Sequence, residues 1–75
     1  MNKQDRKNIQ RALPLLEEAK NIIDELASEE RDKFDNMPEN LQDSEAGQKF
    51  DWSAEVLETA NENIESAISE LEDLA

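Results

Sequence analysis

The sequence predicts an all-α fold: an antiparallel helical hairpin that pairs with a second copy into a four-helix bundle. Three observations predict it. Apolar residues recur at steps of three and four through both halves of the chain. One stretch of turn formers, about residues 35–43, lies between the halves. Folded antiparallel, the two apolar stripes face each other in a single register.

The first helix is expected over about residues 3–34. Its stripe is Ile9, Ala12, Leu16, Ala19, Ile23 and Leu26, with mostly charged and amide residues between. Pro14 falls on the side away from that stripe. A mid-helix proline loses one backbone hydrogen bond and costs about 3 kcal/mol. On a solvent face, water can serve the freed carbonyl. Two readings stay open here: one helix kinked at Pro14, or a main helix that starts at Pro14 with residues 3–12 as a separate turn.

The bend follows, Phe34-Asp35-Asn36-Met37-Pro38, with Leu41-Gln42-Asp43-Ser44 behind it. The second helix is expected over about 44–74. Asp43 or Ser44 can cap its N-terminus, and Glu45 suits the first-turn dipole. Its stripe is Phe50, Leu57, Ala60, Ile64, Ala67, Leu71 and Leu74, with Ser53 filling one position. Facing positions in an antiparallel pair have residue numbers of constant sum. A sum of 83 sets Leu26 against Leu57, Ile23 against Ala60, Ala19 against Ile64, Leu16 against Ala67, Ala12 against Leu71 and Ile9 against Leu74. Every pair is apolar, and large side chains facing Ala let the layers interdigitate. The same sum places Lys33 opposite Phe50.

At the bend, Phe34, Phe50 and Trp52 are expected to gather with Met37 and Leu41 into a small cap. The alternative use of this tip is a docking site for a partner, made by Phe34, Met37, Leu41 and Trp52 with Trp52 as anchor. Other apolar residues flank the stripes: Leu13, Leu15, Ile22, Ala27, Val56 and Ile68. An isolated hairpin would leave part of them wet, and so wide a stripe faces more than one neighbour. Two hairpins side by side solve this, with Leu15, Ile22, Val56 and Ile68 as the expected dimer interface.

Charge orients the hairpin. Residues 1–11 carry Lys3, Arg6, Lys7 and Arg11 against Asp5, whereas residues 50–75 carry acids and no Lys or Arg. Each helix alone opposes its own macrodipole. Folded antiparallel, the basic start of the first helix is expected beside the acidic end of the second.

Composition excludes several functions. The 75 residues carry a net charge of −12 and no Cys or His. A chain this short holds one small domain and gains from a second copy. Its charge repels nucleic acid and anionic membranes, so no direct nucleic-acid binding and no membrane association are expected, and a basic protein is the expected partner. Thiol chemistry, the usual zinc sites and imidazole catalysis are absent. Neither a signal peptide nor a membrane span is legible, which makes the expected location cytoplasmic. A single Gly excludes a glycine-rich phosphate loop, and the serines have no evident activating partner. No catalytic residue, cofactor or metal site is expected. The bend does not match a calcium loop: Met37 and Ala46 fall where oxygen ligands belong.

Asp51, Glu55, Glu58, Glu62, Glu65 and Glu72 form one acidic stripe opposite the apolar one. The plain reading is a solvated outer face. The sharper one is a carboxylate row that imitates a phosphate backbone, because acids three and four apart lie roughly 5–6 Å apart at Cβ.

The stretch Phe34-Asp35-Asn36-Met37-Pro38, with Leu41-Gln42-Asp43-Ser44 and Gly47, resembles a turn of small acidic helical proteins of bacteriophages and prophages. The resemblance covers about residues 29–50 and carries over no functional residues. It implies a mobile-element origin. The expected function is a non-catalytic interaction module, a phage accessory factor acting on a host protein; the alternative is a nucleic-acid-mimic inhibitor of a basic DNA- or RNA-binding protein.

Overall fold

The computed structural model describes all 75 residues, in the order α1 (Lys3–Asp35), α2 (Glu39–Gln42) and α3 (Glu45–Glu72). The two long helices form a rod-like antiparallel hairpin measuring 58 × 14 × 13 Å. The expected turn over 35–43 contains a short helix of its own, α2.

α1 is one helix of 33 residues and runs unbroken through Pro14, which is exposed. Continuity, rather than a separate turn over 3–12, is therefore the arrangement adopted. Asn2 caps the start in a reciprocal box. Its side chain accepts from the Asp5 N–H at 2.8 Å, and the Asp5 carboxylate accepts from the Asn2 N–H at 3.0 Å. Two of the four orphan amides of a helix start are satisfied this way.

The bend is held by backbone and by one amide side chain. Gln42 Nε2 donates to the carbonyls of Phe34 at 3.2 Å and Met37 at 3.4 Å. The Phe34 carbonyl also accepts from the Met37 N–H at 3.1 Å, so Gln42 ties the last turn of α1 to the bend. Ser44 caps α3, with its Oγ accepting from the Gly47 N–H at 3.2 Å. Gly47 is buried where α2 folds onto α3. A Cβ built there would lie 2.2 Å from the Gln42 carbonyl oxygen and 2.8 Å from that of Leu41.

The seam between α1 and α3 departs from the expected one. All five buried residues, Ala27, Gly47, Ala54, Asn61 and Ile68, sit in a single heptad column of their helices. It lies four residues after the column Ile9, Leu16, Ile23 and Phe50, Leu57, Ile64, Leu71, which is half-buried as expected. The other expected column is only partly used: Leu26 and Leu74 are exposed, while Ala12, Ala19, Ala60 and Ala67 are half-buried. Both helices are thus rotated by about 50° from the expected faces. Small residues explain the choice, since Ala27 and Ala54 let the backbones of α1 and α3 approach. Lys20 and Asn61 disguise the column as polar in the sequence.

Ile68 is corrected by this rotation. Expected at a dimer surface, it is 6% exposed inside the hairpin. Replacing Ile68 with Ala should therefore destabilise the fold by about 2–3 kcal/mol. Urea titration followed by helix ellipticity measures this, and an unchanged midpoint would place Ile68 outside the core.

The longitudinal register is close to expectation. Asp24 with Asn61, Lys33 with Phe50 and Arg31 with Asp51 have residue numbers summing to 85, 83 and 82. This sets Glu72, where α3 ends, level with residues 10–13. The first turns of α1 run past that point, and residues 1–8 are all exposed.

Candidate functional site: two unlike flanks

The hairpin has a polar flank and an apolar flank, divided by the seam. On the polar flank, Arg31 bridges the helices. Its Nη1 donates to Asp51 Oδ1 at 2.7 Å, and its Nε and Nη2 reach Glu58 Oε1 at 3.5 Å. The hydrogen bond to Asp51 raises the Arg31 pKa above its ordinary value; desolvation opposes the rise, and the charge of Glu58 adds to it. The guanidinium also lies 5.9 Å from the Phe34 ring centroid. These pairs are partly solvated, so each is worth about 0–1 kcal/mol and acts mainly on orientation.

About two turns along α1, Asn61 Nδ2 donates to the Asp24 carboxylate, which also accepts from Lys20 Nζ at 3.3 Å. Asn61 is buried, and its Oδ1 has no protein partner. A single buried amide in an apolar seam costs stability and holds register. Asp24, Arg31, Asp51 and Glu58 share one heptad column, so that column faces the same flank in both helices. Glu65 and Glu72 continue it, while Glu55 and Glu62 lie farther round toward the back of α3.

The columns beyond the other edge of the seam must then face the opposite flank in both helices. There α1 presents Leu15, Ala19, Ile22 and Leu26, and α3 presents Val56, Ala60, Asn63 and Ala67. Leu15 is 67% exposed, Ile22 53%, Leu26 44% and Val56 46%. Trp52, 65% exposed, stands at the outer border of this flank. It lines a shallow groove with Val56, Thr59, Ala60 and Asn63.

The expected dimer residues Leu15, Ile22 and Val56 therefore come together on one flank, while Ile68 does not join them. The expected tip cluster is divided. Phe34, Phe50 and Met37 are half-buried at the bend, Leu41 is exposed there, and Trp52 points away from them. The tip cap is thus built without Trp52, whose column carries it to the back of α3.

The acidic stripe is also divided. Asp51 and Glu58 are engaged by Arg31, whereas Glu55, Glu62, Glu65 and Glu72 are exposed and free of ion pairs. At the open end, Lys3, Arg6, Lys7 and Arg11 make no ion pair with α3; the cations that do pair are Lys20, Arg31, Lys33 and Lys49. Lys33 bonds Glu30 at 2.9 Å, and that hydrogen bond raises its pKa.

Sequence periodicity missed Arg31, Gln42 and Asn61. The available signal for Asn61 was its place in the seven-residue series Gly47, Ala54, Asn61, Ile68. No His/Cys/Asp/Glu grouping suited to holding a metal ion occurs. No helix is long and apolar enough to cross a membrane. No protein-family model, curated protein or solved structure matches the chain.

Proposed function

We propose that the protein is a non-catalytic interaction module that works as a homodimer, a four-helix bundle closed through the apolar flank. The observation that carries this is the exposure of Leu15, Ile22, Leu26 and Val56 along one flank of an otherwise charged rod.

Pairing through that flank leaves the tip, with Leu41 exposed, outward and available to a further protein. Such a module fits a phage or prophage accessory factor acting on a host protein in the cytoplasm, the origin to which the bend's resemblance points. A second reading is favoured by one observation: Glu55, Glu62, Glu65 and Glu72 stand exposed and uncompensated. In that reading the stripe mimics a nucleic-acid backbone and inhibits a basic DNA- or RNA-binding protein.

One experiment separates the two. Immobilised protein captures basic proteins from a host extract at low salt, and competitor DNA is then added. For the interaction module, replacing Glu55, Glu58, Glu62 and Glu65 with Gln leaves specific capture intact and DNA displaces nothing. For the mimic, the same variant loses capture with its helicity unchanged, and DNA displaces the bound protein. Capture of no specific protein even at low salt contradicts both.

A further inference from the structure

We propose that the open half of the hairpin rolls between two seams, and that the buried amide of Asn61 sets the balance between them. The proposal concerns the single hairpin and does not rest on the dimer.

The tip half is fixed in rotation. Ala27 is 7% exposed beside Leu26 at 44%, so one column alone fills the seam there. Gly47 lies against the Gln42 carbonyl, and Gln42 ties the last turn of α1 to the bend. Neither helix can turn at that end without opening the corner. Toward the open end the distinction fades. Ala12 and Leu13 are both half-buried, and so are Ala19 and Lys20. In α3, Ala60 and Ala67 are half-buried beside the buried Asn61 and Ile68. Two neighbouring columns therefore share the seam from Ile23 back to Ile9.

The column that lies deeper is the one with polar groups in it. Asn61 is 7% exposed, and its Nδ2 donates to the Asp24 carboxylate, but its Oδ1 is buried with no partner. A buried acceptor left unpaired bears the full loss of its hydration. Lys20 stands in the same seam, with its ammonium turned out to Asp24 at 3.3 Å. The neighbouring column, Ala12 and Ala19 with Ala60 and Ala67, has no polar side-chain atom. Burial of Ile68 and the Asp24 contacts favour the first seam; release of the Asn61 amide to water favours the second.

Adjoining columns lie about 50° apart, which bounds the roll. Each helix turns in the same sense about its own chain direction. Because the chains are antiparallel, the two then turn against each other like meshed gears. The column common to both seams, Ile9, Leu16 and Ile23 with Leu57, Ile64 and Leu71, stays between the helices throughout. Spread over the two and a half heptads between Ile9 and Ala27, the turn is about 3° per residue, the size of the adjustment by which α-helices supercoil.

Methyl relaxation dispersion on the full chain tests this, since it reads μs–ms exchange. Exchange is expected at Ala19, Ala60, Ala67 and Ile68 and not at Ala27 or Ala54, with a rate that dilution does not alter and with minor-state backbone shifts that stay helical. Asn61→Leu should quench it, because the first seam then holds no amide. Asp24→Ala should raise the minor population at least about fivefold, because both ends of the Asn61 amide then lack a partner in the first seam. Flat dispersion in the parent overturns the roll, and so does exchange left unchanged by both variants. Exchange that includes Ala27 and Ala54 equally is global opening, and minor-state shifts at coil values are fraying; either overturns it. A rate that changes with concentration assigns the exchange to association of copies, which overturns the roll and leaves the dimer standing.

Discussion

Replacing Gly47 with Ala should destabilise the hairpin by about 2–3 kcal/mol, the magnitude of an overpacked site. Two effects compete at this position. Gly47 lies in the first turn of α3, where Ala is the better helix former by about 1 kcal/mol. Against that, the new methyl would sit 2.2 Å from the Gln42 carbonyl oxygen and 2.7 Å from its carbon. Both are backbone atoms, so no side chain can swing aside. Relief requires α2 to move off α3, and that pulls Gln42 away from the Phe34 and Met37 carbonyls to which it donates. The clash therefore outweighs the propensity gain. Urea titration should show a lower midpoint for Gly47→Ala. A raised midpoint, the signature of propensity acting alone, would mean that the corner does not pack as tightly as described.

The second large effect belongs to the apolar flank. Changing Ile22 and Val56 together to Glu should raise the dimer dissociation constant by about a thousandfold. Each substitution counts twice in a two-fold dimer. Four losses of about 1 kcal/mol each, a conservative figure for a buried aliphatic side chain, give that factor. Both residues are exposed in the single hairpin, so helix ellipticity of the variant should stay near that of the parent. Trp52, the one tryptophan of the chain, borders the flank and reports the change. Its emission should shift to the blue as the parent is concentrated and stay red in the variant. Parent and variant spectra that coincide at every concentration would show that the flank stays wet.

The helices, their antiparallel pairing and their lengthwise register were legible in the sequence because they depend on spacing. Lys33 meets Phe50 where the constant sum placed it. The rotation of the helices about their axes was not legible. Two seven-residue patterns share the column Ile9, Leu16 and Ile23. The one completed by Ala12, Ala19 and Leu26 is wholly apolar, while the one completed by Leu13, Lys20 and Ala27 contains a lysine. Apolarity favoured the first. Close approach and a polar contact selected the second: Ala27 and Ala54 are small, and Asn61 finds the Asp24 carboxylate across the seam. Ile68 moved from surface to core by the same rotation, and Leu26 from core to surface. The apolar flank gained coherence as a result, because Leu26 joined Leu15 and Ile22. Trp52 illustrates another limit. Its closeness in sequence to Phe50 suggested a shared cluster, yet residues two apart on a helix point in widely different directions. Gln42 escaped notice because bend side chains act through backbone carbonyls whose positions no periodicity records.

The polar flank sets the orientation of the hairpin more than its stability. Arg31 stays charged throughout the usual pH range, and the neighbouring carboxylates hold its pKa above the ordinary value. Its two contacts, to Asp51 and Glu58, remain partly solvated and are screened by salt.

Sedimentation equilibrium of the unmodified chain at micromolar concentration tests the homodimer most directly. A dimer of twice the 8.6 kDa chain mass, with full helicity, is expected. A monomer of 8.6 kDa that keeps its full helicity would contradict it, because Leu15, Ile22, Leu26 and Val56 would then have no partner to cover them.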